Sequence, residues 1–573
     1  MEKFKLYKQA TNTIPETHQT WPLYGSCLEK LGYLGKTVEV KVPTYNQNEL
    51  LARIDAVSLC YSDVKQINLG NKHPRLLDRD LQKNPIVPGH EVSLTIVGVG
   101  EELASKYKIG DRYTLQPDIW FKGKSIPFCH GIDGGYRHYT KIGKEILHGD
   151  AGNYLIPIPD EMSYAAAAIT EPWACVEAAY RMEYRNHLLD KGSLWLIGCG
   201  KSRQGYQLGD LLEQAIPREI VLTDLREDIT KQIKDVCNIK KIPVYIKELD
   251  VVLNSEQLFD DVLVLDCSSA TINRASKKMN KGAVLAILCG KPAEKTIEID
   301  LGRLHYDNIY FVGTTTLNLA DAYKQTNPRV TLKPKGITWI LGAGGPMGRM
   351  HLQRAIEAKN SPDLIIASEV TEDRFESLKN FFLPMAEQHK KRLIVVNPKG
   401  ESYRYSEVMS RVMEEGGVDD LEVMVAVVQV IAESLQYLAE KGVVNLFAGL
   451  KRGVCVEMDP WLIYGPKQVR FIGHSGSGLD DQKAVVEKAV SGELKPELSV
   501  AAVGGLNQIA DGIRAMENRL FAGKIVIYPH VLDFPLTACS EFKEKDPGIY
   551  NTLGKGETWT KEAEEVFLQK GLS

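Results

Sequence analysis

Four residues from three separated stretches of the chain could hold a metal ion. Cys60 lies in Leu59-Cys-Tyr-Ser-Asp63, His90 and Glu91 lie in Gly89-His90-Glu91, and Glu171 opens Glu171-Pro172-Trp173. A thiolate, an imidazole and carboxylates drawn from separate loops suit zinc with one position left open for water or substrate. A structural zinc would instead close its shell with clustered cysteines, and the ten cysteines here are scattered. Either Cys60 or His90 alone would be an ordinary core residue; the set and its surrounding residues point to a metal.

Two glycine turns could do a second kind of chemistry. Gly342-Ala-Gly344-Gly345-Pro-Met-Gly348 follows an apolar strand and precedes a helical pattern. Missing side chains there let the backbone approach a pyrophosphate at a helix N-terminus. Glu369 lies 25 residues past Gly344, near the spacing for bonding an adenosine ribose, and an acid there favours NAD over NADP. The earlier turn reads Gly198-Cys-Gly200-Lys201-Ser-Arg203-Gln-Gly205, with Asp224 at the end of the next strand. Arg203 stands where a third glycine would allow close packing. That turn could bind a nucleotide, bind another anion through Lys201 and Arg203, or be a structural relic.

The elements that must position these residues fall into two textures. The first 160 residues alternate short extended segments with Gly and Pro, among them Leu51 to Val57, Val92 to Val99 and Arg112 to Leu115. A helix is expected to open at Glu171-Pro172. From about Lys191, strands alternate with helical patterns, which implies parallel sheets, and this texture occurs twice. The first copy starts at Ser193 to Gly198, and its strands continue at Glu219 to Thr223, Val262 to Leu265, Ala283 to Leu288 and Ile309 to Val312. The second starts at Gly336 to Gly342 and continues at Asp363 to Ala367, Arg392 to Val396, Leu421 to Val427, Val443 to Phe447 and Val469 to Ile472. A linker with Lys333-Pro-Lys-Gly336 separates the copies, and the apolar strand Lys524 to Tyr528 precedes a polar tail.

Composition sets the outer bounds. At roughly 150 residues per domain, the 573 residues allow three or four domains. Hydrophobic residues at 44% and charged residues at 25% fit a protein with substantial cores, and 70 basic against 74 acidic side chains leave a net charge of −4. That balance gives no footprint for nucleic acid or an acidic membrane. The cysteine usage fits a reducing compartment, and no secretory or spanning segment is read, so a cytoplasmic protein is expected.

Cys60-x-Ser62-Asp63, Gly89-His90-Glu91, Gly110-Asp111-Arg112 and Glu171-Pro172 occur in the order seen in zinc-dependent medium-chain dehydrogenases, and the chain resembles their polyol and sugar branch. The phrases Gly417 to Val425 and Gly442 to Gly449 are similar to the cofactor domain of sorbose-phosphate reductases in that superfamily. The resemblance implies an α/β chain: a GroES-like β catalytic domain that holds zinc, followed by two tandem Rossmann domains with doubly wound parallel sheets. Cys60 and His90 would be zinc ligands, Glu91 a ligand or its neighbour, Glu171 a ligand or the holder of a zinc-bound water, and Ser62 the hydroxyl that passes the substrate proton outward, with the zinc acting as a Lewis acid on the alcohol. Phe447, in Asn445 to Gly449, would lie where the nicotinamide ring is expected. Many members carry a relay histidine five positions past the cysteine, where this chain has Lys65. Many also carry a four-cysteine lobe, where Gln116 to Gly131 has Cys129 alone, so a second zinc is not expected.

The expected organisation is residues 1–190 for the zinc domain, 191–325 for a first Rossmann-like domain, 326–485 for the NAD-binding copy, and 486–573 for the return to the catalytic domain and the tail. The expected activity is hydride transfer between a secondary alcohol of a polyol, sugar or sugar phosphate and NAD; loop chemistry favours the second copy as its coenzyme domain, while chain order, with the first copy directly after Glu171, favours the first. Relatives of this kind are commonly dimers or tetramers. An NAD-retaining epimerase or isomerase and a non-catalytic nucleotide sensor are the alternatives. No phosphate-binding cluster stands out along the chain.

Overall fold

A computed structural model describes residues 2–182, 185–200, 202–324 and 329–572. The chain forms two compact units. The first holds residues 1–178, 345–350 and 476–573, and the second holds 179–344 and 351–475.

The first unit is built on an eight-stranded sheet. Its path runs Thr537–Ala538, Val500–Gly505, Lys524–Tyr528, Leu50–Ser58, Glu91–Val99, Arg112–Leu115 and Leu155–Pro157, and Tyr139–Ile142 pairs with Leu50–Ser58 off that path. Every residue of Leu50–Ser58 is buried. It lies between Glu91–Val99 and the late strand Lys524–Tyr528, with Val526 opposite Ser58. Helix Tyr164–Ala178 packs on this sheet. Glu171-Pro172 therefore falls inside a helix that starts seven residues earlier than the sequence suggests. The run Ala165 to Ala168 has the strongest helix propensity available, and the start is capped from far along the chain. Glu564 accepts the Tyr164 and Ala165 N–H groups at 2.7 and 2.8 Å, two of the donors that a helix start leaves without partners.

The second unit contains two six-stranded parallel sheets. In spatial order the first is Val244–Ile246, Glu219–Thr223, Ser193–Ile197, Phe259–Leu265, Met279–Leu288 and Tyr310–Thr314. The second is Arg392–Val396, Leu364–Ser368, Ile337–Leu341, Val418–Val423, Leu438–Leu446 and Arg470–Gly473. Both have the order third, second, first, fourth, fifth, sixth, and the order reverses beside the first strand.

The two copies repeat the same polar devices. Trp195 Nε1 donates to Thr223 Oγ1 at 3.0 Å, and Trp339 Nε1 donates to Ser368 Oγ at 2.9 Å. Arg185 pairs with buried Asp261 and donates to the Asp260 carbonyl, while Arg329 pairs with buried Asp420 and donates to the Asp419 carbonyl. The other oxygens of those aspartates accept backbone N–H groups of Leu189 and Ser193 in one copy and of Lys333 and Ile337 in the other, at 2.8–2.9 Å. These clamps explain why both fourth strands begin earlier than their apolar runs. Aspartate disfavours a strand, but here each carboxylate is neutralised and bonded where it enters the sheet.

The copies pack on each other reciprocally. Ile297–Asp300 pairs antiparallel with Cys455–Met458. Helix Leu301–Asp307 of the first copy lies on strand Arg470–Gly473 of the second, and helix Trp461–Tyr464 of the second lies on strand Tyr310–Thr314 of the first. Two glycines permit this approach. A Cβ on Gly313 would lie 2.5 Å from Tyr464 Cβ, and one on Gly473 would lie 2.7 Å from the Leu304 backbone. Contact i-to-j matched by j-to-i is the form of a two-fold interface, here between halves of one unit, and a single apolar core from Trp195 to Phe471 runs through both. Among the described residues no helix is long and apolar enough to cross a membrane.

Replacing Arg329 by Met leaves Asp420 buried without its cation. Loss of about 3–5 kcal/mol is expected, read as a lowered denaturation midpoint. Arg185→Met should behave alike through Asp261.

Candidate functional site

Antiparallel pairing assembles the metal set in the first unit. Ser58 lies opposite Glu91, so Cys60, just past one strand, meets His90 and Glu91 at the start of the next. One ligand atom from each of Cys60, His90 and Glu91 lies within 4.8 Å of the others. Gly89 at φ +92° makes the approach possible, since a Cβ there would lie 2.4 Å from the Tyr136 ring.

The surrounding bonds orient the imidazole. His90 Nδ1 lies 3.1 Å from Asp63 Oδ1, and Asp63 Oδ2 accepts the Cys60 N–H at 3.0 Å and the Tyr136 hydroxyl at 2.9 Å. A carboxylate on Nδ1 leaves Nε2 to face a metal, and Ser62 Oγ lies 3.3 Å from that nitrogen. Burial opposes the His90 imidazolium, but the Asp63 carboxylate, with lesser help from the Cys129 and Cys60 thiols, raises His90 well above its ordinary value.

Glu91 is fully buried and bonded at Oε1 by Lys524 Nζ at 2.6 Å, while its Oε2 has no hydrogen-bond partner. Glu171 stands apart from the set of three. It projects from helix Tyr164–Ala178, with Cys175 Sγ 3.7 Å from its Oε1. Burial, and then the nearby Glu91 carboxylate, lift Glu171 to about 7 against the pull of His90 and Lys524. Two acids, a thiol and an imidazole thus converge on one another with a single lysine to balance them.

The glycine turn of the second copy has the form expected of a coenzyme loop. Gly342 has φ +88°, and a Cβ on Gly344 would lie 2.1 Å from Glu369 Oε2. The chain then passes directly into helix Pro346–Glu357, whose first turn contains Gly348; Gly345 has open space where a Cβ would be. Glu369 Oε1 accepts the Val370 and Thr371 N–H groups at 2.8 and 2.9 Å. Phe447, just past strand Leu438–Leu446, donates its N–H to Val423 O at 3.1 Å and packs its ring 4.6 Å from that of His351.

Below that turn lies a polar cluster. The Tyr180 hydroxyl is 2.6 Å from His351 Nδ1, and Glu422 Oε2 is 3.8 Å from the same nitrogen. His351 Nε2, Glu422 Oε2 and Asn445 Oδ1 are buried without hydrogen-bond partners. Burial, followed by Asp420, pushes Glu422 up to about 8.

The first copy differs at each of these points. Among the described residues no helix follows Gly198 and Gly200 before strand Glu219–Thr223. Arg203 lies across the strand ends instead: its N–H and Nε donate to Asp266 at 2.8 and 3.1 Å, its Nη1 to Thr315 O, and its Nη2 to the Tyr206 hydroxyl, both at 2.9 Å. The Asp224 side chain is exposed, and its carbonyl accepts the Gly200 N–H at 3.1 Å. Lys201 lies outside the described residues. Glu422 and Asn445 are register partners in the second copy, where the matching pair of strands in the first copy holds Leu263 and Ala286.

Sequence reading overlooked Asp63 as an orienting group, Lys524, and the trio Tyr180, His351 and Glu422. The word Cys60-x-x-Asp63 carried the first. The others come from distant segments without a local pattern.

The alcohol dehydrogenase GroES-like domain family matches residues 46–150. The uncharacterised protein YggP of Escherichia coli (strain K12) is 24% identical over 540 residues, covering 92% of this chain and 93% of its own. Mannitol-1-phosphate 5-dehydrogenase of Aliivibrio fischeri (strain ATCC 700601 / ES114) is 26% identical over 305 residues, covering 48% of this chain and 70% of its own. A solved structure from Sinorhizobium meliloti 1021, named as a candidate alcohol dehydrogenase, shares the fold with a TM-score of 0.51 at 13% identity, covering 90% of this chain and all of its own. The chain thus carries an alcohol dehydrogenase GroES-like domain at residues 46–150, and its matches support an alcohol-class oxidoreductase.

Proposed function

We propose that the chain is a zinc- and NAD-dependent dehydrogenase for a secondary alcohol of a polyol, sugar or sugar phosphate. The convergence of Cys60, His90 and Glu91, with Glu91 Oε2 buried and unpartnered, carries this reading. Thiolate, imidazole and carboxylate are donors that zinc takes together. Cys60, His90 and Glu91 or Glu171 would hold it, and the second-copy turn with Glu369 would hold the dinucleotide.

Bound zinc supplies Lewis acidity that brings an alcohol's pKa toward neutrality, and bound nicotinamide supplies a hydride acceptor. The protein's own groups do the rest. Asp63 would hold the His90 proton on Nδ1 and leave the Nε2 lone pair for the metal. Lys524 anchors Glu91 by one oxygen and leaves the other to the ion. Ser62 Oγ stands beside Nε2, where it can take the alcohol proton and pass it outward. Glu369 would bond the adenosine ribose and disfavour a 2′-phosphate. The helix behind Gly344 supports assigning the coenzyme to the second copy, and the Arg203–Asp266 pair across the first copy's strand ends supports the same choice.

Cys60→Ser should lose zinc, measured by metal analysis, together with at least a hundredfold of alcohol oxidation; full activity without metal would reject the mechanism. Asp63→Asn should weaken zinc binding by about 10–100-fold. Glu369→Ala should weaken NAD binding at least tenfold, whereas Asp224→Ala should change it less than twofold. The reverse pattern would assign the coenzyme to the first copy.

A pH signature should accompany the second-copy cluster. The Glu422 carboxyl titrates higher in the folded chain than in the unfolded one, so its stabilising effect is full at acid pH and fades as pH rises toward about 8. The slope should be about 1.4 kcal/mol per pH unit across that window. Denaturation midpoints of Glu422→Gln should lose this slope.

A further inference from the structure

Four basic side chains scattered along the sequence converge beside the metal set, and the reaction as derived uses none of them. His130 is buried, and its ring lies 4.9 Å from that of His73. Its Nδ1 is held 3.3 Å from Cys129 Sγ, which leaves Nε2 buried without a partner. Cys129 in turn brings a ligand atom within 4.8 Å of those of Asp63 and His90, so the imidazole pair stands two contacts from the metal-facing histidine. The Arg75 backbone N–H donates to His73 Nδ1 at 3.3 Å, and its guanidinium reaches Asp118 at 2.9 Å. Lys65 is exposed and in no ion pair among the described residues; its Nζ lies 5.7 Å from the Tyr61 ring centre, and its charge acts on His73.

We propose that Lys65, His73, Arg75 and His130 form a subsite for the phosphate group of a phosphorylated polyol whose carbinol is oxidised at the neighbouring centre. This rests on the dehydrogenase reading and narrows its substrate class. A phosphate monoester carries nearly two negative charges and strong acceptor oxygens, and it suits a fork of guanidinium donors beside an ammonium and imidazole N–H groups.

Asp118 is the one carboxylate paired with the guanidinium, and that pair is loose, with side chains 49% and 36% exposed. Such an exposed pair is weak, so an incoming dianion displaces it at little cost. Asp118 also acts on Glu171, which places the pair at the edge of the metal site. Nearby Arg79 spends its donors on the carbonyls of His130, Asn84 and Pro85 and on Asn84 Oδ1, and it adds positive charge without closing the subsite. Burial, and then Arg75, hold both imidazoles below their ordinary values. The imidazoles therefore enter as neutral donors, and the positive charge comes from Lys65, Arg75 and Arg79, with Asp118 and Asp133 as acids beside them.

Calorimetric titration of the full chain with inorganic phosphate should show one site. It should persist in Cys60→Ser and weaken at least tenfold in the Lys65→Ala, Arg75→Ala double variant, with the exposed Arg411→Ala as control. In steady state the wild type should prefer a hexitol monophosphate over the free hexitol by tenfold or more in kcat/KM. The double variant should lose that preference, with KM for the ester raised at least tenfold. Inorganic phosphate should compete with the alcohol and not with NAD; competition with NAD would place the anion on the coenzyme and overturn the proposal. So would equal turnover of the two alcohols, or no phosphate binding. Phosphate binding without turnover of any alcohol would reject the dehydrogenase reading and leave the anion subsite standing.

Discussion

The candidate metal centre depends on one buried ion pair, Lys524 to Glu91, separated by 433 residues of chain. Both partners sit in the sheet interior, where losing either would strand an uncompensated charge. Closing the pair requires strand Lys524–Tyr528 to lie against Leu50–Ser58, beside the strand that Glu91 begins. The last part of the chain must therefore return to the first before the centre exists. Glu564 repeats the constraint at the other end of helix Tyr164–Ala178, where it caps the helix that carries Glu171. Everything between residues 179 and 475, apart from residues 345–350, folds as a separate unit inserted into that closed path.

Much of this was legible, because the informative residues sat in local words. Cys60-x-Ser62-Asp63 and Gly89-His90-Glu91 each occupy a single strand end, and their meeting follows from an antiparallel pair of apolar strands. The turn at Gly342 was readable because a strand, a glycine run and a helical pattern follow one another without a break. The duplication was readable too, and more deeply than the turns alone suggest. Arg185-x-x-Leu-x-x-Lys-Gly-x-x-Trp195 recurs as Arg329-x-x-Leu-x-x-Lys-Gly-x-x-Trp339, and each conserved letter has a place in the folded copy. The arginines clamp the aspartates, and the tryptophans bond the hydroxyls at the second-strand ends. Lys191 and Lys335 both take the left-handed conformation, with φ +56° and +59°.

What could not be read depends on tertiary proximity. Asp260-Asp261 and Asp419-Asp420 look like strand breakers until the arginine that neutralises each pair is known. Glu171-Pro172 looks like a helix start because proline favours the first turn, and only the distant Glu564 cap shows why the helix begins earlier. His130, His73 and Arg75 have no common spacing. A strained turn at Cys129, φ +70°, and a short helix after Cys60 bring them to the same side of His90.

The two copies share the bonds that fold and pack them and differ at the carboxyl ends of their strands. Both kept the clamps, the tryptophan bonds and the glycines that let them approach each other, and these are the terms of folding and packing. They diverged where a dinucleotide would lie. The second copy holds Glu422 and Asn445 across two strand ends with His351 on the helix beneath the turn, while the first holds Leu263 and Ala286 at the matching strand positions. In the first copy the guanidinium of Arg203 spans the carboxyl ends of the strands and satisfies Asp266, Tyr206 and the Thr315 carbonyl from within the chain. Internal bonds there meet the polar demand that a ligand would otherwise meet, and the reciprocal packing of Gly313 on Tyr464 and Gly473 on Leu304 uses the face that remains. The first copy stays folded because its core is continuous with that of its neighbour.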